Sequence, residues 1–275
     1  MNTPRIMGII NVTPDSFSGD GILRDDYVTQ AVARAEQMAE EGATILDIGG
    51  ESTRPGAMPV SADEEIRRVV PVIAAIKSRL NLPLSIDTFK PETADAACRA
   101  GAGIVNDING LSDPAMRRVA VRHRASVVIM HNRAKPDAVT HDATVGGQYD
   151  AGDYGDIAQD VARELSVAAE NAMRDGVARD KIIVDPGIGF GKSVAQNLAL
   201  IAHIGTVKAL GFPVLMGVSR KSFIGYVMGA TVDDRLEGTA AAVTACVLNG
   251  ADILRVHDVK FMARVARMAA AIRDA

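Results

Sequence analysis

The 275-residue sequence contains no tryptophan, and aromatic residues make up only 4% of it. Aromatic platforms for stacking single-stranded bases are therefore poorly supplied. Basic residues are not in excess: 30 Lys and Arg against 34 Asp and Glu leave a formal net charge of −4. That balance exerts no broad attraction on a nucleic-acid backbone, so an anionic ligand has to be met by a local cluster of cations. Cysteine occurs twice, at Cys98 and Cys246, far apart in helix-like stretches and without CxxC spacing. Neither a disulfide framework nor a zinc site is expected, and a reducing cytoplasm fits. Apolar runs are broken by Gly, Asp or Arg well short of the roughly 18 residues of a membrane span. The opening Met1-Asn2-Thr3-Pro4 also lacks the basic region of a signal peptide. The expectation is a soluble protein with neither membrane nor nucleic acid as partner.

What is abundant is apolar residues, at 48%, arranged in a repeating pattern. Short β-branched runs at residues 5–12, 44–50, 83–88, 103–108, 126–131, 181–185, 213–218 and 252–257 read as strands. Between and after them, residues 25–41, 62–80, 91–100, 114–123, 156–175, 195–210, 235–248 and 259–272 read as helices. Their apolar positions recur at three- and four-residue intervals, as in Ile66, Val69, Val70, Ile73 and Ile76. Eight such units fit a (β/α)8 TIM barrel in one domain spanning residues 1–275 better than an open doubly wound sheet.

In that barrel the functional site lies at the C-terminal strand ends, and polar residues collect there. The first strand ends in Asn11-Val12-Thr13-Pro14-Asp15-Ser16-Phe17-Ser18, and the second in Asp47-Ile48-Gly49-Gly50-Glu51-Ser52-Thr53-Arg54-Pro55-Gly56. Both read as loops, with Arg54 suited to anion capture. The third and fourth strands contribute Asp87, Asn106 and Asp107, the last also readable as a cap. Asp185 follows three β-branched residues and precedes Pro186-Gly187, which sets a carboxylate at an apolar rim where it needs donors or a cation. Ser219-Arg220-Lys221-Ser222 opens a short helix, with Ser222 either a cap or a receiver of a carboxylate. Arg255 and His257 lie two residues apart, hence on one face of the last strand, where they meet a shared anion or pair with Asp258 or Asp47.

These segments, taken in order, resemble dihydropteroate synthase over nearly the whole chain. The resemblance is carried by residues 11–18, 49–56, Asp185-Pro186-Gly187 with Gly189-Phe190-Gly191-Lys192, residues 219–222 and Arg255-Val256-His257-Asp258. It implies condensation of a dihydropterin diphosphate with p-aminobenzoate, with sulfonamides as competitors, Mg²⁺ as cofactor and a homodimer as the assembly. It further implies that Asp87, Asn106, Asp185 and Lys221 hold the pterin edge, while Met130, Phe190, Gly217 and Arg255 wall its faces. Asn11, Arg54, Arg255 and His257 would take the diphosphate, Asn11 also ligating the metal. Phe17, Thr53, Arg54, Pro55, Phe190, Lys221 and Ser222 would shape the p-aminobenzoate site. Asp87, Asp185, Lys221, Arg255 and His257 would carry the chemistry.

Two features depart from the family pattern. Ser18-Gly19-Asp20-Gly21 shifts an acidic group by one position, and residues 133–155 form a longer, Asp/Gly-rich stretch that reads as exposed loop without a role. Two competitors are a pterin-binding barrel that passes a methyl group to a corrinoid and an inactive pterin-binding barrel. The first has no use for Thr53-Arg54-Pro55 or the Arg255/His257 pair. The second is disfavoured by the presence of Asn11, Lys221 and Arg255. His131, His203, the cysteines and the methionines are read as packing or surface residues.

Overall fold

The computed structural model describes residues 3–13, 26–52, 58–134, 139–142, 145–149 and 151–275. Eight parallel strands form one sheet: β1 (Arg5–Asn11), β2 (Ile45–Gly49), β3 (Leu84–Asp87), β4 (Ile104–Asp107), β5 (Ser126–Met130), β8 (Ile182–Asp185), β9 (Leu215–Met216) and β10 (Ile253–Val256). Hydrogen bonding runs in the order β8-β5-β4-β3-β2-β1-β10-β9. The remaining seam is bridged where Val184 pairs with Val214 and the Val184 N–H donates to Pro213 O at 2.9 Å. The sheet thus closes into the (β/α)8 barrel expected from the alternation, which removes its edges.

The surrounding helices are α1 (Tyr27–Glu41), α2 (Ala62–Arg79), α3 (Pro91–Ala100), α4 (Pro114–His123), α5 (Ile157–Arg174), α6 (Val194–Ala202), α7 (Ile204–Lys208), α8 (Ser222–Met228), α9 (Leu236–Leu248) and α10 (Val259–Arg273). Their starts follow local chemistry. Ser61 accepts the Glu64 N–H ahead of an acidic first turn, and Asp156 accepts those of Ala158 and Gln159. Ser193 and Gln196 form a reciprocal capping box, and Pro91 and Pro114 occupy first-turn positions where no N–H is needed. Among the described residues no helix is long and apolar enough to cross a membrane.

Two expectations are corrected. The helix read over residues 195–210 is two helices, broken at the exposed His203, because the apolar period runs on across a turn that the backbone does not continue. The stretch after β5 is not all irregular loop. It contains an antiparallel hairpin of β6 (Val139–Asp142) and β7 (Gly146–Tyr149), turning through Gly146 at φ +83°.

Apolar side chains fill two regions. A large core lies between strands and helices, and a smaller one occupies the barrel lumen: Met7, Ile45, Ile104, Val128, Ile183, Leu215 and Ile253, one from each strand except β3. The corresponding inward residue of β3 is Ser85, fully buried, whose Oγ has no partner among the described residues.

Candidate active site

Side chains on a strand alternate faces, so two residues beyond each lumen residue the chain points inward again, nearer the C-terminal mouth. Those next positions are Ile9 after Met7, Asp47 after Ile45, Asp87 after Ser85, Asn106 after Ile104, Met130 after Val128, Asp185 after Ile183, Gly217 after Leu215 and Arg255 after Ile253. The apolar floor therefore positions the polar group above it. Six of the residues named from sequence fall in this set without any appeal to the loops.

Arg255 is the hub. Its Nε donates to Asp47 Oδ2 and its Nη2 to Asp87 Oδ2, both at 2.6 Å, so one guanidinium links β10 to β2 and β3. Asn106 Nδ2 donates to the same Asp47 oxygen at 3.2 Å. The second oxygens, Asp47 Oδ1 and Asp87 Oδ1, are buried without a partner among the described residues. Two carboxylates share one cation, so one negative charge is uncompensated. Burial pushes Asp87 up to about 7 against the attraction of Arg255, with Asp47, Glu65 and Asp107 adding to the rise. Burial opposes the charge of Arg255, but Asp47 and Asp87 outweigh it and hold the guanidinium above its ordinary value.

A second group lies across the mouth on the turn after β8. Asp185 Oδ1 accepts the Gly187 N–H at 2.7 Å, and burial raises this carboxyl against the cations of Lys221, Lys192 and Arg255. Lys221 Nζ donates to Ile188 O and sits 4.5 Å from the centroid of the Phe190 ring. Burial pushes this ammonium down to about 8, opposed chiefly by Asp185. Gly217 is buried, yet a Cβ built there meets nothing within 4 Å, as expected of a backbone that faces an opening.

The upper rim carries the remaining residues. Asn11 ends β1 opposite Gly49, and His257 follows β10, its Nδ1 3.0 Å from Ser219 Oγ and its backbone N–H donating to that oxygen at 3.2 Å. Ser222 begins α8 directly after Lys221 and makes no cap, so the capping alternative does not hold. Asp258 pairs with Arg220 at 2.6 Å, leaving Asp47 as the partner of Arg255. Asp107 is not the cap of the following helix, which Asp113 caps; it braces the intervening turn, accepting the N–H groups of Asn109 at 2.8 Å and Leu111 at 3.1 Å. Phe17, Thr53, Arg54 and Pro55 lie outside the described residues. The base of the second loop is braced nonetheless: Glu51 accepts the Val60 N–H at 3.0 Å and pairs with Lys90, which also reaches Glu65 at 3.0 Å.

Three further buried polar residues lie at or beside this site without a role assigned to them from sequence. Asp47 was legible only as one candidate partner for Arg255 or His257. Lys192 closes the Gly189-Phe190-Gly191-Lys192 motif, to which the resemblance assigns no role for the lysine, and it is 1% exposed. His131, read as packing or surface, is buried between Lys192 Nζ at 3.0 Å and Glu164 Oε2 at 3.0 Å. The signal for Asp47 was its period-two relation to Ile45 and that for Lys192 its place in the motif; His131 carried none.

Known proteins resemble this chain over nearly its whole length. The family described as "Pterin binding enzyme" matches residues 7–257. A dihydropteroate synthase of Bacillus subtilis (strain 168) is 45% identical over 264 residues, covering 96% of this chain and 86% of that one. The structure of Xanthomonas albilineans dihydropteroate synthase with 4-aminobenzoic acid superimposes with a TM-score of 0.89 at 42% identity, covering 100% of this chain and 94% of that chain. That of the Yersinia pestis dihydropteroate synthase in a sulfonamide drug complex gives 0.89 at 38%, covering 99% and 95%. With a parallel barrel closed over an apolar floor, buried carboxylates converging on Arg255 and these full-length likenesses, the chain belongs to the pterin-binding enzymes and, within them, to the dihydropteroate synthases.

Proposed function

We infer that the chain condenses 6-hydroxymethyl-7,8-dihydropterin diphosphate with p-aminobenzoate, giving 7,8-dihydropteroate and diphosphate on the route to folate. The observation that carries this reading at the level of the site is the pair of buried, unpartnered oxygens, Asp47 Oδ1 and Asp87 Oδ1, beside Asn106 and across the mouth from Asp185. Buried acceptors without donors are costly. A flat heterocycle with adjacent ring N–H and exocyclic amine groups supplies those donors.

In this reading Asp87, Asn106, Asp185 and Lys221 bind the pterin edge, while Met130, Phe190, Gly217 and the Arg255 side chain flank its faces. Arg255 and His257, with Asn11 and Arg54, receive the diphosphate. Loss of diphosphate leaves a cationic methylene carbon whose charge spreads into the ring, and Asp87 and Asp185 stabilise it electrostatically. The aryl amine then bonds to that carbon and loses its proton. Phe17, Thr53, Arg54, Pro55, Phe190, Lys221 and Ser222 hold p-aminobenzoate, and sulfonamides compete for the same place.

The donor set suits Mg²⁺. Asn11 offers a hard amide oxygen at the rim, and Mg²⁺ is commonly held by one or two protein oxygens together with substrate phosphates and water. When bound, it neutralises charge on the departing diphosphate. A single catalytic domain, assembled as a cytoplasmic homodimer, completes the proposal. Asp185→Asn tests the pterin assignment: calorimetric titration with a dihydropterin should show strongly weakened binding, because the amide loses charge and turns a donor toward ring donors. Binding equal to that of the parent would make Asp185 a structural rim residue.

A further inference from the structure

Lys192 is among the largest fully buried side chains of the protein, and nothing in the reaction above uses it. Its ammonium lies 2.9 Å from Gly187 O, 3.0 Å from Phe190 O, 3.4 Å from His131 O and 3.0 Å from His131 Nδ1. All four are acceptors. A neutral amine has two N–H groups and would aim its lone pair at a carbonyl, so only the ammonium satisfies the cradle. Ionised Glu164 can only accept, so Oε2 at 3.0 Å fixes the proton of the neutral His131 on Nε2 and leaves Nδ1 as the fourth acceptor.

The cradle organises the turn that carries half the site. Two of its carbonyls belong to residues 187 and 190, so Lys192 gathers both ends of the turn around one charge. The Gly187 N–H is thereby left for Asp185 Oδ1, the Ile188 carbonyl for Lys221 Nζ, and the Phe190 ring for the Lys221 ammonium. The other two acceptors belong to His131, the residue after Met130. The backbones meet closely there: a Cβ on Gly187, at φ +69°, would lie 1.8 Å from His131 O.

We propose that Lys192 is a positioning residue for the pterin and p-aminobenzoate sites, its buried ammonium fixing the 187–191 turn against the end of β5 and so setting Asp185, Phe190 and Lys221 in register. This rests on the assignment of those three residues to substrate. Lys192 also acts through its charge. It is one of three cations, with Lys221 and Arg255, that oppose the effect of burial on Asp185. The groups around Lys192 itself are Asp185 and Glu164, which favour its charge, and Lys221, Arg133 and His131, whose cationic forms would disfavour it. Burial pushes Lys192 down to about 7, but the four acceptors favour the charged form.

Removing the charge has a sign that a purely structural role lacks. Lys192→Met keeps much of the volume but withdraws a cation from Asp185, whose carboxyl then titrates at higher pH. The acid limb of kcat/KM for the dihydropterin diphosphate should move upward. Misplacing Phe190 and Lys221 should lower kcat/KM by about 10- to 100-fold, at a temperature where circular dichroism shows the variant folded. The wild type is assayed alongside. A wild type without pterin binding or turnover would refute the functional assignment itself, whereas an active wild type matched by Lys192→Met in rate and acid limb, with only a lower melting temperature, would overturn this proposal alone. Should the variant not fold, ¹H–¹⁵N spectra of lysine-labelled wild type decide the matter. Slowly exchanging ammonium protons on one lysine at pH 7 support the cradle, and their absence overturns it.

Discussion

Asp47→Asn probes the balance of charge at the centre of the site. Asp47 is fully buried and accepts from Arg255 Nε at 2.6 Å and Asn106 Nδ2 at 3.2 Å through one oxygen. The amide keeps an acceptor there but loses its charge, and Asp87 still neutralises Arg255. The loss is therefore that of a charge-assisted hydrogen bond rather than of a whole buried pair, about 2 kcal/mol rather than 3–5 kcal/mol. For a chain of this size that lowers Tm by roughly 4–8 °C. The pH dependence is more telling. Asp87 is held up at about 7 by burial, with Asp47 contributing, from an ordinary value of 3.8. Between those values the native state holds a proton that the unfolded chain has lost, so this group makes stability fall as pH rises, by up to about 1.4 kcal/mol per pH unit. Without Asp47 the Asp87 value drops and this loss is confined to lower pH. The deficit of the variant should thus be largest near pH 5 and shrink toward pH 8, as read by thermal or urea melts across that range. A deficit that is constant, or that grows with pH, would refute the shared-cation argument.

Three other perturbations follow from the same geometry. Gly187→Ala should cost about 3 kcal/mol or more, because its Cβ would collide with His131 O in a left-handed backbone; a melting temperature within a few degrees of the parent would contradict the close approach. Binding of a dihydropterin should release protons near pH 7, since ring donors favour the ionised form of a carboxyl that otherwise titrates at about 7; calorimetry in two buffers of different ionisation enthalpy measures this, and zero net release would count against Asp87 as a pterin contact. Excess chelator should abolish turnover while leaving the melting temperature of the unliganded protein unchanged, because the metal is held jointly with diphosphate; full turnover in chelator would remove Mg²⁺ from the account.

The barrel was legible because eight short β-branched runs alternate with stretches whose apolar residues recur at helical spacing. Asp87, Asn106, Asp185 and Arg255 were legible as polar residues at strand ends, whereas Met130 and Gly217 came only from the family resemblance; alternation explains why all six face the lumen. What sequence could not supply is pairing. That Arg255 reaches both Asp47 and Asp87, and that Asp258 turns instead to Arg220, depends on which strands close across the lumen. Lys192 was named within a motif, but its burial was not legible, because the cradle is completed by the carbonyl and imidazole of His131, 61 positions away in the chain. The β6–β7 hairpin was hidden by composition, since Asp- and Gly-rich strands lack the apolar alternation by which hairpins are recognised.

The most direct test of the central claim is diphosphate release from 6-hydroxymethyl-7,8-dihydropterin diphosphate, followed with and without p-aminobenzoate and paired with chromatographic detection of 7,8-dihydropteroate. Release that depends on p-aminobenzoate, matches dihydropteroate one for one and falls with added sulfonamide is the predicted result. Absence of dihydropteroate in the presence of both substrates and Mg²⁺, from protein shown to be folded, would contradict it.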